Sequence, residues 1–410
     1  MQMLENCGKD MDYTMAEKNL DFDRIIDRRN TKSIKYDWIA KKGMPEDTLP
    51  LWVADMDFQV SSYIQEALAR QTEHGIFGYS DVQEAYFEIV KGWMERKHGW
   101  KVSEDWLVKT PSVVFALALA VKAFTEPGDS VLIQQPVYYP FQNIVDVNGR
   151  KMVSSDLVYE VGRYHIDFED FEEKIIKENV KMFILCNPHN PVGRVWTPEE
   201  LIKLGDICCK HHVLVVSDEI HQDFAFERKH YVFADLKKEY GEITVTCTAP
   251  SKTFNLAGLQ LSNIFISNPE MRKAFCRQMD LSGYGEVNVM GLAACEAAYR
   301  DGDVWYEAMR RYVKANLEFI KEYVEKNIAG VVMAEHEGTY LAWLDFRKLG
   351  LSAEELEEMM VHKARLWLDD GRMFGKSGEG FQRVNAACPR KILEEALLRI
   401  KQAVDEVRKA

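Results

Sequence analysis

The chain has 410 residues, 47% hydrophobic and 29% charged, with 65 Asp plus Glu against 52 Lys plus Arg for a formal charge of −13. That length and composition suit a globular protein of two or three domains with a large buried core. The acidic balance speaks against a nucleic-acid or anionic-membrane surface.

The eight cysteines (Cys7, Cys186, Cys208, Cys209, Cys247, Cys276, Cys295 and Cys388) form no C-x-x-C pair, and several lie in apolar runs. Reduced thiols are therefore expected, not a disulfide scaffold. The first residues lack an apolar signal core, and the longest apolar run, Val113 to Val121, falls short of the ~20 residues that cross a bilayer. A soluble cytoplasmic protein with no membrane or nucleic-acid partner is expected.

Residues 1–19 are polar and weakly patterned and read as a flexible N-terminal extension. Residues 20–55 lead into Trp52-Val53-Ala54-Asp55-Met56-Asp57-Phe58, a mixture of apolar residues and carboxylates that reads as buried chain entering a polar site. Between about 60 and 300, helical patterns alternate with short β-branched runs. A helix is predicted over 112–124, a strand over 130–134, a helix over 198–210, strands over 213–217 and 263–267, then a helix that Asn268-Pro269-Glu270 opens. This alternation predicts an α/β fold with a mostly parallel central sheet sandwiched by helices, in a large domain over 56–302. After Gly302 the rhythm changes to a long amphipathic helix from Asp303, strands over 340–345 and 382–386, a helix over 352–363 and a terminal helix from Pro389. That pattern predicts a smaller α+β domain over 303–410, with residues 20–55 packing against it.

Three buried strands deliver polar residues to one sheet edge. Phe183-Ile184-Leu185-Cys186 runs into Asn187-Pro188-His189-Asn190, Val213-Leu214-Val215-Val216-Ser217 ends in Asp218, and Ile243 to Cys247 is followed by Ala249-Pro250-Ser251-Lys252. Ligands of open α/β sheets bind at that edge. An amine for a Schiff base, a carboxylate for a pyridinium nitrogen and a donor for a phenolic oxygen are what pyridoxal 5'-phosphate needs. Each residue has a plainer reading. A loop lysine is usually a solvated charge, Asp218 could cap a helix, and Asn-Pro pairs mark turns. An unpaired carboxylate closing an apolar strand would be costly, however, and a pyridinium offsets that cost.

Thr110-Pro111-Ser112-Val113-Val114 opens a helix whose free N–H groups suit a phosphate, although Ser is also a common cap. Tyr138 follows a strand and could stack on a ring or simply be buried. Arg383, in a strand pattern with apolar neighbours, wants a bidentate carboxylate, from an amino-acid substrate or from an internal Asp or Glu. His211-His212 and Cys208-Cys209 lack metal-ligand spacing, so no metal site is expected. The glycine-rich stretch 371–380 fits no nucleotide fingerprint and reads as a mobile loop near the site.

On these residues the chain resembles fold-type I pyridoxal-phosphate enzymes of the class I/II aminotransferase superfamily, and within them the MalY/PatB group of cystathionine β-lyases, or C–S lyases. The strings that carry the resemblance are Trp52 through Phe58, Cys186 through Gly193, Ser217-Asp218-Glu219-Ile220-His221, Ala249 through Asn255, and Ala387-Cys388-Pro389-Arg390. The resemblance implies that Lys252 holds the cofactor as a Schiff base, Asp218 pairs its ring nitrogen, Asn190 its ring oxygen, and Tyr138 stacks. It implies phosphate contacts from Ser112, Val113, Val114 and Ser251, and, in a homodimer, from Tyr79 of the other subunit. His221 stands near the ring oxygen where many relatives carry tyrosine, and Arg383 with Asn190 would take the substrate carboxylate. Where aminotransferases of the superfamily usually carry Gly-x-Arg, this chain has Gly258-Leu259-Gln260, as the lyase group does; the group usually has glycine at the position of Ser112.

The implied reaction is β-elimination from a small sulfur-containing L-amino acid, such as cystathionine or cysteine, to pyruvate, ammonia and a thiol. Lys252 would remove the Cα proton, and Lys252 or Tyr79 would protonate the leaving sulfur. An aminotransferase and a cofactor-binding regulator with weak activity are the alternatives.

Overall fold

A computed structural model describes residues 20–409. The extension expected over 1–19 lies outside the described residues.

A seven-stranded sheet forms the centre. Its strands are β1 (Leu107–Thr110), β2 (Ser130–Ile133), β3 (Lys151–Ser154), β4 (Val180–Cys186), β5 (Leu214–Asp218), β6 (Thr244–Thr248) and β7 (Ser262–Phe265), in the order β1-β7-β6-β5-β4-β2-β3. From β6 to β3 every neighbouring pair is parallel, and β7 alone runs antiparallel to both its neighbours. The reversal has a local cause. The link from β6 to β7 holds only the four-residue helix Pro250–Thr253 and the turn Ala257–Leu259, with no helix long enough to span the sheet, and β7 comes back beside β6 in the opposite sense. Strands β4, β5 and β6 are buried on nearly every residue; β4 and β5 accordingly read as largely continuous apolar runs, while β6 alternates threonine with Val245 and Cys247.

Two helices matter for the site. Helix α1 (Glu84–His98) carries His98 at its end, and α2 (Val113–Phe124) follows β1. Helix α2 is apolar on almost all sides because it is packed beneath the sheet, and the Ser112 side chain caps it by accepting the Phe115 N–H at 3.1 Å. The helix Pro198–Lys210 begins with a full capping box between Thr197 and Glu200.

Helix α3 (Asp303–Asn327) leads to a second, antiparallel sheet of β8 (Val332–Met333), β9 (Leu341–Asp345), β10 (Asp369–Asp370) and β11 (Phe381–Asn385), ordered β8-β9-β11-β10. Helix α4 (Arg390–Val407) closes the chain. Residues near the N-terminus lean on this second sheet's surroundings: Leu49–Pro50 pairs in parallel with Leu366–Trp367, and the Trp52 and Trp367 rings stack at 4.2 Å. The glycine-rich stretch is not an open loop. It forms two short turns packed back to back, so closely that a Cβ on Gly371 would lie 1.8 Å from the Gly378 carbonyl oxygen.

Candidate active site

Strands β4, β5 and β6 lie in register with Cys186 beside Asp218 and Asp218 beside Cys247. Their carboxyl ends therefore open onto one cavity. Asn190 enters from the turn after β4, Asp218 from the last position of β5, and Lys252 from the short helix Pro250–Thr253 after β6. The amino end of α2 closes the far side with Ser112, Val113 and Val114, and Tyr138, His221 and Ser251 are also among the lining. Of the residues singled out from sequence, only Tyr79 and Arg383 are not among the lining.

Tyr79 is 96% exposed, on a segment between two helices where Ile76 (70%) and Phe77 (60%) are exposed too. A single folded chain leaves it outside the site. Arg383 stands directly behind the lining: one terminal nitrogen donates to Asn190 Oδ1 at 3.0 Å, and the other donates to the Trp52 carbonyl at 2.8 Å and to the Asp369 carboxylate. Of the two partners foreseen for Arg383, the internal carboxylate is thus present, and the Arg383 Nε–H has no hydrogen-bond partner among the described residues. Phe374, from the glycine-rich turns, lies 4.9 Å beneath the guanidinium.

The electrostatics follow from burial. The Lys252 ammonium is taken out of water, which lowers its pKa to about 8; Asp55 and Asp218 resist the fall, and the Arg383 cation adds to it. Lys252 Nζ donates to the Ala54 carbonyl at 2.7 Å. Asp218 is pushed up to about 7 by burial, against the pull of the Ile220 N–H at 3.1 Å and of Lys252. Burial, with the Lys252 and Arg383 cations, holds His221 well below its usual range, so its imidazole is neutral, and its Nδ1 has no hydrogen-bond partner among the described residues.

The string around Asp55 and Asp57 turns out to be a clamp. Arg28 reaches Asp55 and Asp57 at 2.6 Å each, and the fully buried Lys35 reaches Asp57 at 2.7 Å. Asn255 exchanges two hydrogen bonds with the Met56 backbone at 2.9 Å, and Asn385 donates to the Val53 and Asp55 carbonyls at 2.6 Å. These bonds hold the Ala54 carbonyl where both Lys252 and the Tyr340 hydroxyl, at 2.8 Å, can donate to it. Sequence reasoning missed Asp369, Tyr340 and Lys35. Asp369 was within reach, because a carboxylate beside Leu366-Trp367-Leu368 carries the same signal that marked Arg383. Lys35 sits in the short helix Ile34–Lys41, where charged and apolar residues are mixed without a clear face, and carries no such signal.

What the cavity could hold is set by its donors. The N–H groups of Val113 and Val114 have no partner within α2, since the first turn of a helix never supplies one, and they suit a phosphate. The Ser112 hydroxyl oxygen is committed to the helix cap, so its backbone and hydroxyl proton are what it can offer. A buried carboxylate at Asp218, an amine of lowered pKa at Lys252 and the amide of Asn190 stand around the remaining space. This set fits pyridoxal 5'-phosphate. Gln260 closes the turn after Leu259 at φ +51°, exposed and outside the cavity lining.

Residues 47–400 match the family described as aminotransferase class I and II. Cystathionine beta-lyase PatB from Bacillus subtilis (strain 168) is 44% identical over 94% of this chain and 100% of its own length. Protein MalY from Escherichia coli (strain K12) is 31% identical over 95% of this chain and 100% of its own. Among solved structures, cystalysin from Treponema denticola, which contains a pyridoxal 5'-phosphate cofactor, superposes with a TM-score of 0.91 at 37% identity, covering 94% of this chain and 99% of that one.

Proposed function

The chain belongs to the aminotransferase class I and II family, and from that membership and the geometry of the cavity we propose that it is a pyridoxal-phosphate-dependent carbon–sulfur lyase. Its substrates on this reading are cystathionine, cysteine or related S-substituted L-cysteines. The observation that carries the proposal is the pairing of a half-buried Lys252 amine with a buried Asp218 carboxylate at adjacent strand ends, facing the amino end of α2. When bound, the cofactor supplies an aldehyde for amines and a ring that takes up the electron pair left when a Cα–H bond breaks.

The chain's own groups then have defined tasks. Val113, Val114, Ser112 and Ser251 would hold the phosphate, and the Asp218 carboxylate would keep a proton on the ring nitrogen. Tyr138 would pack against the ring, while Asn190 and the neutral His221 would serve its oxygen. Arg383, steadied by Asn190 and Asp369, orients the substrate carboxylate. Lys252, with a pKa of about 8, is partly neutral near pH 7 and takes the proton from Cα; a base works best with its pKa near the working pH. Loss of the Cβ–S bond releases the thiolate, which takes a proton from Lys252 or Tyr79, and water completes the conversion to pyruvate and ammonia.

The reading includes a homodimer, in which Tyr79 of a second copy reaches the phosphate end. The exposed apolar side chains of Ile76 and Phe77 beside Tyr79 support it. It also includes a reducing, cytoplasmic setting, which the free thiols of all seven described cysteines support. No helix among the described residues is long and apolar enough to cross a membrane.

Incubation with cystathionine and no added keto acid tests the function. Pyruvate release is the expected result, and strict dependence on a keto acid would replace the lyase with an aminotransferase.

A further inference from the structure

Behind the cavity, on the reverse side of the same strand ends, lies a buried polar layer that the chemistry above does not use. Lys252 and Asp218 each have a chain neighbour that points into it. Thr253 follows Lys252, and its hydroxyl donates to Asp223 Oδ2 at 2.5 Å, while Asp223 Oδ1 meets His98 Nε2 at 2.9 Å. Glu219 follows Asp218; its carboxylate accepts from Ser217 Oγ at 2.7 Å and from the Phe233 N–H at 3.1 Å, and it meets His230 Nε2 at 2.8 Å. The Tyr306 hydroxyl donates to the Asp223 carbonyl at 2.7 Å, fixing the first arm from α3. The imidazoles of His98 and His230 meet edge to face with centroids 5.6 Å apart, so the two arms touch.

Thr253, Glu219, Asp223, His98 and His230 are all buried. Burying two carboxylates and two imidazoles is no cheap route to stability, since well-packed apolar groups would serve as well. What a satisfied buried network does give is a single geometry for the backbone that bears it. Here that backbone is the one turn and the one strand end that carry the amine and the carboxylate.

We propose that the Thr253–Asp223–His98 and Ser217–Glu219–His230 arms are positioning groups for the cavity in front of them, the first fixing the turn that bears Lys252 and the second the strand end that bears Asp218. The proposal rests on the reading that Lys252 and Asp218 face the cofactor. Thr253 is the lever of the first arm: it is the last residue of the helix Pro250–Thr253, one bond removed from the lysine backbone. Without its hydrogen bond the turn is free to shift, and small misplacements of a reacting group are expensive in rate.

The test uses the holoenzyme. Thr253→Val keeps the β-branch and removes the hydroxyl; Thr253→Ser restores it. The expected result is a loss of about ten- to a hundredfold in kcat for Thr253→Val with KM within about twofold. The visible circular dichroism of the bound cofactor should change as well, and Thr253→Ser should return both signals to wild type. Cofactor-free Thr253→Val should melt below Thr253→Ser, because Asp223 loses a donor, and kcat read well below both melting temperatures separates positioning from folding. Wild-type kcat and dichroism in Thr253→Val would overturn the proposal, and so would a Ser variant that falls as far as the Val variant. If Thr253→Val does not fold, Ser217→Ala tests the second arm: faster cofactor release is expected, and a wild-type release rate refutes it. A wild-type protein with no visible absorbance, or one that keeps it in Lys252→Ala, would instead sink the reading of Lys252, a failure distinct from that of the layer.

Discussion

Replacing Asp218 with asparagine should make the cofactor-free protein more stable at pH 8 and the cofactor-loaded protein less so. Asp218 is only 4% exposed, and burial lifts its carboxyl from 3.8 to about 7. A carboxyl that titrates higher in the fold than in the unfolded chain binds its proton more tightly in the native state. Its contribution to stability is therefore whole below pH 4 and is lost as pH rises through 7. The gap spans roughly three pH units at about 1.4 kcal/mol each, so the ionised group costs the fold about 4 kcal/mol at pH 8. Asparagine has nearly the same shape and does not titrate. Urea midpoints of cofactor-free protein at pH 4, 6 and 8 should show Asp218→Asn ahead of wild type by up to about 4 kcal/mol at pH 8, with the two converging near pH 4. Adding pyridoxal phosphate should reverse the order, because a ligand stabilises in proportion to its affinity and the variant has lost the partner of the ring nitrogen. A cofactor-free variant less stable than wild type at pH 8, or a gap that ignores pH, would refute the reasoning.

Arg383→Lys keeps a charge but loses the planar fork that spans Asn190, Asp369 and a substrate carboxylate, so kcat/KM should fall about a hundredfold, mainly through KM, in steady-state assays. The rate at which cofactor-free protein takes up pyridoxal phosphate should rise with pH and level off above about 8, because only the neutral Lys252 amine attacks; a rise continuing toward 10.5 would mean an ordinary exposed lysine. Gly205→Ala should lower the thermal midpoint, since the new methyl group would lie 2.4 Å from the Tyr240 ring, which is held by the Ile202 carbonyl and Asp206 and stacked on Phe233; the cost of such overpacking is about 1–3 kcal/mol.

The parallel strands were legible because strands buried on both faces read as apolar runs in β4 and β5 and as a β-branched run in β6, and the polar residue that follows each run marks the sheet edge. That logic found Asn190, Asp218 and Lys252 and brought them to one cavity. It could not find the antiparallel return of β7, since strand direction leaves no mark on the composition of 263–267 and the signal lies in the preceding link, which forms no long crossover helix. Arg383 was legible as a half-buried cation, and Asp369 would have been by the same rule. The clamp of Arg28 and Lys35 on Asp55 and Asp57 was not, because pairing across more than twenty residues leaves no periodic trace. Nor was the layer behind the site: Thr253 and Glu219 look like bystanders of Lys252 and Asp218 until the strand geometry turns them to the opposite face. The position of Tyr79 came from resemblance alone, and a single chain leaves that side chain in solvent.

Borohydride reduction of the cofactor-loaded protein, followed by peptide mapping, tests the central claim most directly. The expected result is one pyridoxyl label, on Lys252, and none in Lys252→Ala supplied with the same cofactor. A label on another lysine, or no label in folded protein, would contradict it.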